Sequence, residues 1–188
     1  MTNPELIVFT GPMFSSKTTK LLSALERFKY QRKQIAVFKP KIDDRYSTTQ
    51  VVSHSGWSMP AVVVEKGADI LEVLQNTGKV DVVAVDEMFM IDGSAEVLVW
   101  LYRNLGLTIV VSTLDLSATG KPFAEVESLL PWATHIEKCS AVCTVCGNDA
   151  FYTHKKSQIE DEIQVGGSET YEPRCFEHHI VINNVQEK

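Results

Sequence analysis

Basic charge is in short supply in this sequence. Eighteen Lys and Arg stand against 24 Asp and Glu, a formal net charge of −6 over 188 residues, with a pI near 5.4. That balance argues against a protein that lives on nucleic-acid phosphates. Long apolar runs are absent, which excludes a membrane-spanning helix and a membrane partner. The first residues, Met1-Thr2-Asn3-Pro4-Glu5, lack the basic region and apolar stretch of a secretory signal, so the expected compartment is the cytoplasm. Internal repeats and low-complexity tracts are missing too. Cysteine is scarce, at four residues; in a reducing compartment such cysteines are metal ligands more often than disulfides. What remains is 44% hydrophobic and 22% charged, the profile of a soluble globular protein. The length suffices for one core and a small appendage.

One stretch organises the rest. Thr10-Gly11-Pro12-Met13-Phe14-Ser15-Ser16-Lys17-Thr18 follows an apolar run, Leu6-Ile7-Val8-Phe9, and precedes Leu21, Leu22, Ala24, Leu25 and Phe28 at helical spacing. Strand, tight loop, Lys-Thr and helix is the arrangement that cradles phosphates. Successive backbone N–H groups converge on phosphate oxygens, and the helix N-terminus adds positive potential. Lys17 reaches the outer phosphates, and the Thr18 hydroxyl ligates Mg²⁺. Ser16 stands where the pattern G-x-x-x-x-G-K-[ST] has its second glycine. A serine fits there if its φ is negative.

Apolar runs and helical spacings then alternate. A helix is expected from Lys17 to about Arg32, and a strand over Ile35–Pro40. The charged segment Lys41-Ile42-Asp43-Asp44-Arg45-Tyr46-Ser47 reads equally as a solvated loop or as a ligand wall at a strand end. Gln50–His54 and Ala61–Val64 are short strand candidates, with His54 a structural histidine, and Ala68–Gln75 has helical spacing. Val80–Val85 is an apolar strand that ends in Asp86-Glu87, like a Walker B element. Asp86 is placed to hold the Mg²⁺ shell beside the phosphate loop, and Glu87 to accept a proton from a nucleophile. A helix over about Ser94–Asn104 should turn Val97, Leu98, Leu101 and Leu105 inward. The strand Leu107–Ser112 leads into a loop, Leu114–Phe123, expected to form a substrate wall. A short helix near Glu125–Leu130 and a strand over His135–Lys138 complete a first domain, residues 1–138. Its expected class is α/β, a mainly parallel sheet covered on both faces.

Composition shifts at Cys139, and a second domain is expected over residues 139–188. Cys143-Thr144-Val145-Cys146 and Cys175-Phe176-Glu177-His178 supply a C-x-x-C and a C-x-x-H, two knuckles that close one tetrahedral Zn²⁺ site. His179 is an alternative fourth ligand, but the spacing favours His178. Cys139 reads as a buried strand-end residue. The intervening stretch has few large aliphatics and needs the metal as an anchor.

Phosphate loop, Asp-Glu after a strand, and zinc knuckles flanking a long loop together resemble the zinc-containing thymidine kinase family. Gly11-Pro12-Met13-Phe14-Ser15 and Lys17-Thr18 are similar to its phosphate loop, and Asp43, Arg45, Tyr46 and Ser47 to its Asp-x-Arg-Tyr-Ser stretch. Leu114-Asp115 and Lys121-Pro122-Phe123 match its nucleoside-side loop, and Tyr152-Thr153, Gly166-Gly167 and Tyr171 its ribbon and lasso. The resemblance implies transfer of the ATP γ-phosphoryl group to the 5′-hydroxyl of thymidine, with deoxyuridine as a second substrate, in nucleotide salvage. It implies Glu87 as base, and Gly11 through Thr18 with Asp43, Arg45 and Asp86 around the phosphates. Thr18 and Asp86 would hold Mg²⁺, and the zinc would be structural. The nucleoside would lie near Met13, Met90, Leu114, Phe123, Thr153, Val165, Gly166, Gly167 and Tyr171. A homotetramer and feedback inhibition by dTTP are also implied. Phe89 and Met90 stand where the family has Gln and Phe, and Ala118 where it commonly has an aromatic; these changes bear on base choice.

A competing reading is an ATP-dependent nucleic-acid switch built on the zinc ribbon. Glu160-Asp161-Glu162 and Glu169, against only Lys155-Lys156, disfavour it. A kinase that has lost turnover is disfavoured by intact Lys17 and Glu87.

Overall fold

The structure, a computed structural model, describes residues 3–43, 47, 49–53, 55–156 and 166–179. In chain order its elements are β1 (Leu6–Thr10), α1 (Lys17–Tyr30), β2 (Ile35–Pro40), β3 (Gln50–Val52), β4 (Ser58–Pro60), β5 (Val62–Val64), α2 (Gly67–Asn76), β6 (Val82–Val85), α3 (Ser94–Leu105), β7 (Thr108–Ser112), α4 (Ala124–Leu129) and β8 (His135–Lys138). Four short strands follow: β9 (Ala141–Val142), β10 (Asp149–Ala150), β11 (Tyr152–Lys155) and β12 (Tyr171–Arg174).

The Val- and Ile-rich runs pair into one six-stranded sheet, ordered β5-β2-β6-β7-β1-β8, with every pairing parallel. Alternation along each strand divides the core in two. Val82 and Ala84 of β6, Phe9 of β1 and Val110 of β7 meet Leu21, Leu22 and Leu25 of α1 on one face. Val83 and Val85, Leu6 and Val8, and Ile109 and Val111 meet Ile70, Leu98, Leu101, Val126 and Leu129 on the other. Burial on both faces is why these strands read as continuous apolar runs. Each fully buried Leu or Ile contributes about 1.5–3 kcal/mol relative to an exposed one. All six parallel strands end at the same edge, so the loops after β1, β2, β6 and β7 gather there.

Some expectations need correction. α1 stops at Tyr30, short of Arg32. The Gln50–His54 candidate is a strand only over Gln50–Val52; it pairs antiparallel with β4 outside the main sheet, and His54 lies outside the described residues. Leu105 is not inward: it is 55% exposed, in the last turn before the left-handed Gly106 that ends α3.

Beyond β8 the chain builds two antiparallel pairs, β9 with β10 and β11 with β12. Their shared core is small, Ala141, Cys143, Ala150 and Cys175.

Candidate active site

The phosphate loop begins where β1 ends. Gly11 has φ +131°, and a Cβ there would stand 2.3 Å from the Cys139 carbonyl oxygen, so only glycine fits. Phe14 and Ser16 also occupy the left-handed region, at φ 65° and 62°. The condition of a negative φ at Ser16 is therefore not met. Ser16 is the left-handed residue that turns the loop into α1. It is exposed, so its small side chain meets no packing obstacle. The conformation costs a non-glycine residue about 1–2 kcal/mol. No side chain caps α1 and its first turn holds no acid, which leaves the positive helix end to an anion.

Lys17 is buried inside the loop. Its ammonium donates to the Pro12 carbonyl at 2.6 Å, and Ser15 Oγ donates to the same carbonyl at 2.8 Å. Burial lowers the Lys17 pKa from its ordinary value, opposed by the charges of Glu87 and Asp86. A cleft is lined by residues 13–19 and Glu87.

Asp86 follows β6, which is separated from β1 by β7. Three elements nonetheless meet at its carboxylate. Thr18 Oγ1 of α1 donates at 3.1 Å, and Ser112 Oγ at the end of β7 donates to the same oxygen. Burial, then the neighbouring Glu87 carboxylate, pushes Asp86 up to about 7, against the hydrogen bonds from Ser112 and Thr18 that pull it down; Asp43 adds a further upward push. Excess negative charge beside a hydroxyl and a carboxylate is an oxygen-ligand setting suited to Mg²⁺. Glu87 has φ 50° and starts a tight turn over Met88–Met90. Left-handed non-glycine residues gather at functional sites, where the surroundings hold them in place.

An apolar group lies next to this edge. Leu114 and Phe123 are buried in one cluster with Phe89, against which Met13 and Met90 pack. The Phe89 and Phe123 rings stand 4.5 Å apart and tilted by 39°. The loop after β7 is pinned by an ion pair of Asp115 with Lys138, 2.8 Å. Thr153 and Tyr171 sit on β11 and β12, both buried. Thr153 Oγ1 accepts the Met13 N–H at 3.0 Å. The Gly167 carbonyl accepts the N–H groups of Thr170 and Tyr171 at 3.1 and 3.0 Å, closing a turn. Gly166 precedes it, and a Cβ there would collide with Thr170. Arg45 and Val165 lie outside the described residues. Ser112 was not singled out in the sequence as a site residue, and Phe89 was named there only as a departure that bears on base choice. For Ser112 the available signal was a hydroxyl at the carboxyl end of a buried strand.

The donor atoms of Cys143, Cys146, Cys175 and His178 all lie within 4.8 Å of one another. Cys146 and Cys175 sulfurs are 3.6 Å apart, and His178 Nδ1 is 3.1 Å from Cys175 Sγ and 3.9 Å from Cys143 Sγ. A tetrahedral zinc with ordinary bond lengths spaces its donors by about 3.5–3.8 Å, so three sulfurs and an imidazole here suit zinc. Burial pushes the Cys143 thiol up, but backbone N–H groups of Cys175, Val145 and Cys146 outweigh it and bring the pKa down to about 6. Cys139 stands apart, buried at the end of β8, as expected from the sequence.

A strand–loop–helix cradle with a buried lysine, and an oxygen-ligand pair of Thr18 on α1 and Asp86 after β6, define a P-loop nucleotide-binding protein. The family model described as thymidine kinase matches residues 4–179, and the chain belongs to the thymidine kinase family. Among solved structures it is similar to the Holliday junction branch migration motor RuvB of Thermotoga maritima, at 15% identity and a TM-score of 0.45, over 76% of this chain and 40% of that one. The chain thus spans well under half the length of that motor. Among the described residues no helix is long and apolar enough to cross a membrane.

Proposed function

We propose that the protein transfers the γ-phosphoryl group of Mg²⁺-ATP to the 5′-hydroxyl of thymidine, and of deoxyuridine, as a salvage kinase. The observation that carries this reading is a cleft lined by Lys17, Thr18 and Glu87, with Asp86 hydrogen-bonded to Thr18, in a chain of the thymidine kinase family. The backbone of Gly11 to Thr18 binds the phosphates, with Lys17 and Arg45 on the outer ones and Asp43 beside Asp86. Thr18 and Asp86 hold Mg²⁺, which supplies charge neutralisation between the phosphates when bound. Glu87 accepts the proton of the attacking 5′-hydroxyl. Met13, Met90, Leu114, Phe123 and Phe89 wall the sugar and base. Thr153, Val165, Gly166, Gly167 and Tyr171 come from the lasso side, whose main-chain groups read the base edge.

The division into a nucleotide-binding domain, 1–138, and a zinc-ribbon domain, 139–188, is part of this proposal. So are a structural zinc on Cys143, Cys146, Cys175 and His178, a cytoplasmic homotetramer, and feedback inhibition by dTTP. The test is an assay of Mg²⁺-ATP against a nucleoside panel, with the monophosphates separated and identified. Thymidine and deoxyuridine should lead. A cytosine base presents a donor where an acceptor is expected, and an unpaired buried group costs about 1–3 kcal/mol. Deoxycytidine as best substrate overturns the base assignment, and no monophosphate from any nucleoside overturns the kinase.

A further inference from the structure

Phe14 is a bulky residue in a conformation that favours glycine, φ 65°, and such a conformation persists only where neighbours over-determine it. Neighbours of Phe14 lie in the ribbon. The Phe14 side chain packs against Ala141, Cys143, Ala150 and Cys175, the whole small core of the ribbon. Two of those four residues are metal donors. One residue earlier, the Met13 N–H is held by Thr153 Oγ1 on β11 at 3.0 Å. Thr153 is 4% exposed, and the bond is part-buried. At the loop's start the Cys139 N–H donates to the Thr10 carbonyl at 2.7 Å, and Gly11 lies against the Cys139 carbonyl. The start of the phosphate loop is therefore held by the end of β8, and its middle is gripped from the ribbon side.

We propose that Phe14 is a positioning residue through which the metal-bound ribbon holds the phosphate loop in its nucleotide-binding conformation, so that zinc occupancy and nucleotide affinity are coupled. This rests on the reading that the loop binds Mg²⁺-ATP and the cluster binds zinc. The physical chain is short. A core of two alanines and two cysteines buries too little apolar surface to stand alone, so the metal sets the spacing of Cys143 and Cys175. That spacing forms the seat of the Phe14 ring. Without the seat the packing that offsets the left-handed strain at Phe14 is lost, and the loop N–H groups lose their common direction. Coupling of this kind is reciprocal: bound nucleotide must strengthen zinc binding by the factor with which zinc strengthens nucleotide binding.

The experiment is a thermodynamic cycle read by Mg²⁺-ATP titration calorimetry, on protein with zinc and on protein stripped of it by a chelator under reducing conditions. Far-UV circular dichroism checks that the sheet survives stripping. Stripping the wild type should weaken Mg²⁺-ATP binding by about tenfold, within the 5–150-fold usual for coupled sites. Phe14→Ala with zinc bound should lose about the same factor and lose little more on stripping, whereas Phe14→Leu should keep most of the zinc response. Zinc affinity, measured by competition with a chromophoric chelator, should rise by the same factor at saturating Mg²⁺-ATP. If Phe14→Ala does not fold, Thr153→Val, which removes the Met13 acceptor, takes its place in the cycle. Equal Mg²⁺-ATP affinity with and without zinc overturns the proposal, as does a variant that responds to stripping as strongly as wild type. Zinc-loaded wild type that binds no Mg²⁺-ATP overturns the nucleotide reading beneath it as well.

Discussion

Left-handed backbone serves different ends at Ser16 and at Glu87. At Ser16, φ 62° on an exposed residue has no side-chain hydrogen bond into α1 to justify it. Glycine there would relieve about 1–2 kcal/mol of strain and cost roughly 0.5–1 kcal/mol of chain entropy. Ser16→Gly should therefore stabilise the protein by up to about 1.5 kcal/mol, the net of those two terms, in a urea melt with unchanged slope. A lower midpoint would show that the serine side chain contributes something its geometry does not reveal. At Glu87 the unusual φ places a carboxylate in the cleft lining beside Lys17 and Thr18. General-base catalysis contributes about 10²–10⁴-fold. Glu87→Gln is close in shape and should lose turnover in that range while Mg²⁺-ATP affinity stays within a few-fold. A variant with full turnover at neutral pH would remove Glu87 from the mechanism.

Among the elements, α3 shows how a helix end can be held from afar. Glu125, at the start of α4, accepts the N–H of Gly93 at 2.8 Å and of Ala95 at 2.7 Å. The Ser94 hydroxyl donates to it at 3.3 Å. One carboxylate thus serves the orphan donors of α3 and meets the positive end of its dipole. Losing a cap costs about 0.5–2 kcal/mol. Glu125→Ala should sit in the upper half of that range and lower the melting temperature by about 2–4 °C per kcal/mol. A change of a few tenths of a degree would mean water replaces the cap at no cost. The sequence announced α3 through Gly93 and its apolar spacing, but not its cap, because the partner lies 32 residues further on. The same divide runs through the fold. β2 and β8 were legible residue for residue, because burial on both faces or a polar flank marks them locally. The hairpin of β3 and β4 was half missed, since Ser58–Pro60 carries no β-branched signal. At the site, Lys17, Thr18, Asp86 and Glu87 announced themselves by motif. The Ser112 bond to Asp86 bridges 26 residues, and the Phe89–Phe123 ring contact spans 34 positions of sequence; both exist only once the sheet is formed. The φ at Ser16 was not legible because loop closure, not residue preference, decides it.

For the whole molecule, the two parts differ sharply in what holds them. The parallel sheet has two extensive apolar cores, whereas the ribbon has four small buried residues and a cluster of three sulfurs and an imidazole. Burying two alanines and two cysteines cannot offset the order of about 1–2 kcal/mol per fixed backbone residue. A metal held by that cluster would supply the difference, and structural zinc sites are worth about 10–16 kcal/mol in small peptides near neutral pH. Two consequences can be measured on one sample. Elemental analysis should find about one zinc per chain, as four filled ligand positions require. Hydrogen exchange should then separate the parts on chelation. The Cys143 N–H, bonded to the Asn148 carbonyl at 2.8 Å, and the Gly147 N–H, bonded to the Cys143 carbonyl at 2.9 Å, should lose protection. The β1, β6 and β7 amides, paired across buried strands, should keep theirs, because their openings draw on the global stability of the sheet. The loss should be confined to the ribbon and to the loop residues it touches, Met13 above all, whose N–H has its acceptor on β11. Equal protection of the knuckle amides with and without metal would mean that the ribbon holds itself, and collapse of protection in β6 and β7 would mean that the sheet depends on it.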